Sequence, residues 1–401
     1  MENFYEANKE IIDSYLKKIE NTDPYNKTVL DLAKECFEYV QRTENRKPFF
    51  DELIRYTMTT KERLTRVLEE NGLLDEIDTS FKSKLAKDIY DTFPGAELNV
   101  SGIVSNYVIE LLYRDYNIGI NVVLSYENDV SRVGKKHAQM LTINANKSGI
   151  RLINIFDYEL LDAEVKSRVY RMLEDILNEP DVIAGARHTK VRPIDYADAR
   201  DFLNIYHIQG TATANVYLGS YYKDELVGVM TFGKPRFSKG YDYEIVRLAW
   251  KKGVRISGGT KKMFSYFVKN YKPESIMTYA DINKFTGNSY IKLGYKFMQV
   301  TDPDYKWVSV DSAEALTRYK CQKHRLIQKG WGTVEQTEDQ IMVAHGYYKV
   351  FGSGNIMLDW IKDRKPSAST EVKITVPEVK TSITPTKKSK PSSVSSLSKF
   401  I

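Results

Sequence analysis

Val246–Phe297 reads VRLAWKKGVRISGGTKKMFSYFVKNYKPESIMTYADINKFTGNSYIKLGYKF, and the reading of this stretch decides the fold. An apolar run over Glu244–Trp250 predicts a strand, followed by a basic, glycine-bearing turn, Arg255-Ile256-Ser257-Gly258-Gly259-Thr260. An amphipathic helix comes next, with Met263, Phe264 and Phe267 at the spacing of one inner face. Ser275–Ala280 predicts a second strand, and a short helix ends at Leu293-Gly294-Tyr295. Paired glycines opening a helix leave backbone N–H groups free, and the helix dipole adds partial positive charge, so such a turn can hold a pyrophosphate. A lone Gly-Gly pair equally serves a plain helix start with close packing.

Working outward, the chain has 401 residues, more than one ordinary core accommodates, so two or three domains are expected. A net charge of +6 permits nucleic-acid binding without demanding it. The 28 tyrosines suit polar interfaces and base stacking alike. Cys36 and Cys321 stand far apart without metal-ligand spacing, which argues against a disulfide scaffold or a zinc site and for a reducing, cytoplasmic setting. No signal peptide follows Met1, and no apolar run is long enough to span a bilayer, so no membrane partner is expected.

The fold class expected is α+β and multi-domain, in four parts. Residues 1–78 read as helices only, with apolar positions at helical spacing in Ile11, Ile12, Tyr15 and Ile19, and again in Leu30, Ala33, Phe37 and Val40. Over 79–180 a helix gives way to apolar strands at 106–113 and Ile118–Leu124, then a helix at His137–Lys147 and a buried strand at Gly149–Phe156. Residues 181–362 open with a basic, strand-like linker, Arg187–Asp195, and a helix ending near His207-Ile208-Gln209-Gly210. A hairpin turning on Lys223-Asp224 comes before the stretch quoted above. Residues 363–401, rich in Ser, Thr, Pro and Lys, read as a disordered tail with an apolar end.

The second part resembles the very-short-patch-repair-like endonucleases of the PD-(D/E)xK superfamily, and more closely the Hef-like homing endonucleases of tailed phages. The resemblance implies a carboxylate pair on neighbouring strands that holds a magnesium ion. Here Glu110 stands at the aspartate position and Asn121 at the glutamate position, and the upstream helix that usually adds a carboxylate reads Ser80-Phe81-Lys82-Ser83-Lys84; in a slipped register Asp115, Glu127 or Asp129 takes over. An amide and a lysine suit a hard dication poorly, so a degenerate nuclease module that binds without cutting is expected, with Glu110 as its remaining metal ligand. His137 would orient a phosphate or a water.

The third part, through H-I-Q-G, F-G-K-P-R-F, G-G-x-K-x-F and Y-A-D…G-N-x-Y-x-K-L-G-Y in fixed order, resembles the C-terminal half of the same phage proteins. That half is similar to the Mom-type DNA-modification domain, a GNAT relative with a mixed central sheet. The resemblance implies an acyl-CoA-like donor held at Arg255, Gly258, Gly259, Thr260 and Lys261. Tyr290 would protonate the departing thiolate, and Asp281 and Asn288 would shape the acceptor site. The chain departs from the pattern at Ile282-Asn283-Lys284, where the family places an arginine and an aromatic.

DNA contacts are expected at Lys135, Lys136, Arg187, Lys190, Arg236, Arg247, Lys323 and Arg325. Leu397, Phe400 and Ile401 would dock into a partner, and they look somewhat like the tails that grip a phage sliding clamp. The expected function is that of a phage DNA-binding protein of homing-endonuclease descent, acting in the cytoplasm of an infected host. The nuclease centre would be inactive and the GNAT-like domain retained. The alternatives are an active magnesium-dependent homing endonuclease, a Mom-type DNA acyltransferase, and a non-enzymatic adaptor docking to replication or transcription machinery through its tail.

Overall fold

The computed structural model describes residues 29–43, 46–59, 61–105, 107–236, 238–310, 312 and 314–364. The expected docking tail with Leu397, Phe400 and Ile401 lies outside them, as does the helix expected over Ile11–Ile19. No helix of the described residues is long and apolar enough to cross a membrane.

Three helices lead: α1 (Val29–Arg42), α2 (Phe50–Thr57) and α3 (Lys61–Glu70). Cys36, Leu53, Leu64 and Leu68 are buried together with Ile89, Leu111, Ile120 and Ile153. The boundary expected near residue 78 therefore falls inside a shared core, and the helical front covers one face of the sheet that follows. Asp51 of α2 is caught in this packing, accepting a hydrogen bond from the Lys84 amide at 3.3 Å. Burial pushes its carboxyl up to about 6, against the opposing pull of that amide and of Arg55. A raised folded-state value means the native chain holds a proton that the unfolded chain has lost, so stability falls as pH rises from about 4 to about 6. Asp51→Asn is expected to remove this loss, on the order of 3 kcal/mol, at neutral pH and to change little at pH ~3. Urea denaturation at the two pH values checks it.

The second part runs α4 (Lys84–Thr92), β1 (Glu97–Val104), β2 (Tyr107–Tyr113), β3 (Ile118–Val123), α5 (Val130–Val133), α6 (His137–Lys147) and β4 (Arg151–Phe156). Its sheet has the order β1-β2-β3-β4, antiparallel at the first two junctions and parallel at the last. β3 is buried along its whole length, because Ile89 of α4 packs with Ile120 on one side while α6 brings Ala145 against Ile109 and Leu152 on the other. β1 was not expected. It is a largely exposed edge strand with no apolar alternation to announce it.

Helices α7 (Asp157–Leu161) and α8 (Ala163–Leu177) lead into β5 (Val182–Gly185) and β6 (Thr189–Pro193). The expected linker at Arg187–Asp195 is thus mostly strand. β6 is the edge of a seven-stranded sheet completed by β7 (Val216–Tyr222), β8 (Glu225–Gly233), β9 (Tyr243–Trp250), β11 (Ser275–Asp281), β12 (Lys296–Val300) and β16 (Asn355–Ile361), in the order β12-β16-β11-β9-β8-β7-β6. Lys223 and Asp224 both take positive φ and form the two-residue turn of the β7–β8 hairpin. Helix α9 (Tyr196–Tyr206) covers one face with Ala199, Phe202 and Leu203 against Val229 and Ala249. Helix α10 (Gly259–Tyr271) covers the other, its Phe267 stacked on Phe232 with ring centroids 3.5 Å apart. It ends at Lys272 (φ 46°), in the left-handed region, and Pro273 cannot continue it.

Between β12 and β16 the chain builds a small unit: β13 (Tyr305–Ser309), β14 (Ala315–Thr317), α12 (Lys323–Gln328), α13 (Glu338–Ala344) and β15 (Tyr347–Phe351). The sheet order there is β14-β13-β15, with Trp307, Leu326 and Ile341 inside. β15 pairs with β13 and β16 with β11 and β12, so the turn between them switches sheets. The loop after β11 seals this half to the β1–β4 sheet. Lys284 is 2% exposed as a side chain and lies 2.8 Å from Glu159, and its ammonium also donates to the Asn154 carbonyl. Arg151 returns two bonds to the Lys284 carbonyl, at 3.0 and 2.6 Å.

Candidate active site

Of the residues expected to form a nuclease centre, Glu110 and Asn121 come together, on β2 and β3. Glu110 is buried, with one carboxylate oxygen accepting from the Val122 amide at 2.9 Å and the other without a partner. Asn121 is spent on structure: its oxygen accepts from the Glu110 amide at 3.2 Å and its amide donates to the Tyr107 hydroxyl at 2.7 Å. Lys82 reaches in from the loop before α4, 2.7 Å from Glu127 and 3.4 Å from the Val122 carbonyl, while Lys61 holds Glu127 from the other side at 2.6 Å. Burial raises the Glu110 carboxyl and the charge of Lys82 opposes that rise. His137 opens α6, its pKa lowered by burial and by Lys82. A resident ammonium, a neutral amide and one carboxylate do not fit magnesium, and no group of three His, Cys, Asp or Glu side chains among the described residues could hold a metal.

The second constellation lies where β9 and β11 part. These are the parallel neighbours of the large sheet, and they pair only through Tyr243–Ile245 and Ile276–Thr278. On the other side of β9 the register to β8 jumps from Thr231↔Arg247 to Phe232↔Ile245, so Val246 is a bulge. A bulge bends its strand and adds twist, which carries Arg247–Trp250 away from Tyr279–Asp281. The space opened is a cleft of about 570 Å³, running from Trp250 and Thr260 at the start of α10 to Asp281, Asn288 and Tyr290.

At the α10 end, Gly258 is the left-handed N-cap (φ 77°) and makes no side-chain cap, so no side chain occupies the first-turn N–H groups. A Cβ on Gly259 would sit 2.3 Å from the Trp250 ring, which explains the second glycine. The Trp250 indole donates to the Thr260 hydroxyl at 3.1 Å. The turn is shorter than expected, because Val254–Ser257 forms strand β10, paired in parallel with β5. Arg255 sits on that strand with its guanidinium 3.9 Å from Glu179, not over the helix start. Lys261 is exposed, and Lys262 is tied to the Ala186 carbonyl at 2.9 Å.

At the other end, burial raises the Tyr290 phenol above its usual value, with Thr278 and Arg247 opposing, so it stays protonated at neutral pH. Asp281 closes β11, one carboxylate oxygen accepting from the Asn283 amide at 2.9 Å and its side chain at 2.8 Å. Burial raises its pKa, with Lys284 and Asn283 working against it. Asn288 opens the short helix α11 (Asn288–Ile291) on the cleft wall. His207, to which the sequence pattern assigns no role, also lines the cleft. Burial, with Arg247 and Arg168, lowers its pKa to about 3. Its Nδ1 accepts from the Gln209 amide at 3.1 Å, so the proton of the neutral ring is on Nε2 and the ring offers a donor. The H-I-Q-G string was the one available signal.

The expected DNA contacts are scattered. Arg247 lines the cleft, its guanidinium donating to the Gly210 carbonyl at 3.0 Å and the Val246 carbonyl at 2.9 Å. Arg236 donates to the Thr213 carbonyl at 3.1 Å. On the inserted unit Lys323 is bound to the Val334 carbonyl at 2.5 Å and Arg325 stacks over Tyr319 at 3.8 Å. Lys135 is exposed, and Lys136 lies 3.3 Å from Asp302. Arg187 and Lys190 do come together, in a groove of about 610 Å³ with Tyr221, Tyr222 and Lys223.

Part of the chain is similar to GNAT acetyltransferases. A Bacillus subtilis acetyltransferase in complex with CoA is 12% identical over 43% of this chain and 97% of its own, with a TM-score of 0.25. A GNAT family acetyltransferase from Elizabethkingia anophelis with acetyl-CoA bound is 14% identical over 43% of this chain and 98% of its own, also at 0.25. The ribosomal-protein-S18-alanine N-acetyltransferase of Escherichia coli is 7% identical over 46% of this chain and 97% of its own, again at 0.25. No protein-family model matches the chain, and no curated protein sequence does.

Proposed function

We propose that the protein transfers an acyl group from a coenzyme A thioester to an amine, in the cleft between β9 and β11. The β1–β4 module, of homing-endonuclease descent, serves as a non-cutting scaffold. The observation that carries this reading is the cleft itself: a bulged strand parting from its parallel neighbour, an uncapped helix start at one end and a half-buried tyrosine at the other. The residues present fit a phosphorylated thioester donor, since the free N–H groups of the first turn of α10 suit a pyrophosphate and the cleft suits an extended arm. When bound, that donor supplies an activated carbonyl. The chain's own groups then do the rest: His207 Nε2–H and Arg247 offer donors inside the cleft, Asp281 accepts a proton, and Tyr290 gives one up.

The test is calorimetric titration of the full chain with CoA, wild type against Thr260→Asp. A carboxylate in the first turn favours the helix, so the fold is kept, yet it repels a pyrophosphate placed there. Like charges ~4 Å apart cost about 1–4 kcal/mol, so affinity is expected to fall roughly fivefold or more. Unchanged affinity would place the donor elsewhere.

A second reading is favoured by the groove that unites Arg187 and Lys190 with Lys223, Tyr221 and Tyr222, because cations beside aromatic faces suit a nucleic-acid strand. Retention of DNA is expected to weaken with salt and with Arg187→Glu, and to need no magnesium. Supercoiled plasmid is expected to survive magnesium uncut; nicking abolished by Glu110→Ala would restore the active-nuclease alternative.

A further inference from the structure

A second cavity, of about 660 Å³, lies where the β1–β4 module, the large sheet and the inserted unit meet. It shares the lining residues Ile208, Gln209 and Asp281 with the donor cleft, so the two spaces adjoin. Two lysines line it, and they differ. Lys284 is locked to Glu159 at 2.8 Å and to the Asn154 carbonyl. Lys306, on β13, forms no ion pair within 4.0 Å among the described residues, and its amine rests over the Tyr158 ring, 4.5 Å from the centroid. An ammonium on an aromatic face with no carboxylate bound to it is held in place without being neutralised.

We infer that Lys306 is an acyl acceptor: the protein acylates its own Lys306 side chain from a thioester bound in the neighbouring cleft. The inference rests on the acyl-transfer reading above. In the step, the free amine's lone pair forms the N–C bond to the thioester carbonyl and the C–S bond breaks. The proton shed by nitrogen goes to Asp281, and the sulfur leaves as thiol with the proton of Tyr290, which solvent then returns from Asp281. Lys306 becomes a neutral amide and one thiol is released, so the step is balanced without a further reactant. Geometry and environment agree. Burial lowers the ammonium's pKa and favours the free amine, with Lys284 acting the same way and Glu159, Asp281 and Asp304 opposing. Asp281 lines both spaces, and its charge is felt by Lys306. Loss of the charge would leave the cavity more acidic, since Asp281, Asp304 and Glu314 line it as well.

The experiment incubates the full chain with acetyl-CoA and follows acetylation peptide by peptide by mass spectrometry, alongside calorimetric binding of CoA. One acetyl group is expected on Lys306, forming at least ten times faster than on exposed lysines such as Lys135 and Lys261. It should be absent in Lys306→Arg, which keeps the cation and the fold, and slowed in Asp281→Asn. Binding of CoA with Lys306 unmodified, or modified no faster than the exposed lysines, overturns the inference alone. No binding of CoA overturns it together with the reading it rests on.

Discussion

Tyr290→Phe is expected to lower acyl transfer roughly 10²–10⁴-fold, the range a positioned general acid contributes, while the melting temperature barely moves. The residue packs beside Tyr295, ring centroids 5.8 Å apart, and within the core that also holds Leu293. Phenylalanine keeps that packing and removes only the hydroxyl. Burial keeps the phenol in its protonated form, which is the form a departing thiolate needs. The change should fall on kcat with little effect on KM, because the proton is needed only as the C–S bond breaks. An equal fall in donor affinity would instead mean that Tyr290 is part of the binding wall. Thiol release from acetyl-CoA, measured with saturating donor and amine, separates the two.

Lys284→Met is the substitution expected to cost most stability. The side chain is nearly sealed and joins the loop after β11 to Glu159 and to the Asn154 carbonyl of β4. Methionine has similar bulk and supplies no donor, so a carboxylate and a carbonyl lose their partner inside the junction. Breaking a buried pair in this way costs about 3–5 kcal/mol. The double substitution Lys284→Met with Glu159→Gln should recover part of the loss, because the stranded charge is then gone. Denaturant unfolding checks both. If Lys284→Met unfolds like wild type, the two halves are not held together through this ion pair.

The same loop shows how far the sequence could be read. Ile282-Asn283-Lys284 departs from the expected pattern, and its physical use is the junction: Asn283 anchors Asp281 and receives the Asn154 amide at 2.8 Å, while Lys284 crosses to Glu159. Helix α10 was legible because Met263, Phe264 and Phe267 recur at helical spacing behind a glycine pair. Tyr290 and Asn288 were legible through the string that ends at Tyr295. Strand β10 was not, because its partner β5 precedes β6 and three further strands of the large sheet, and local pattern carries no trace of so distant a pairing. β15 and β16 adjoin in sequence, yet they join different sheets, because β15 pairs with the strand that carries Trp307. The bulge at Val246 has no sequence mark at all, and without it neither the cleft nor the place of His207 in its wall can be inferred. The Ser80–Lys84 string offers two lysines hostile to a metal, and only the fold shows that Lys82 is the one that grips Glu127.

Hydrogen exchange of the full chain with and without CoA, and separately with magnesium, tests the central claim most directly. Protection by CoA is predicted at the amides of Gly259, Thr260 and Lys261 and along Val246–Trp250, with magnesium leaving Glu110 and Asn121 unchanged. Protection by magnesium across β2 and β3, with none from CoA at the start of α10, would contradict it.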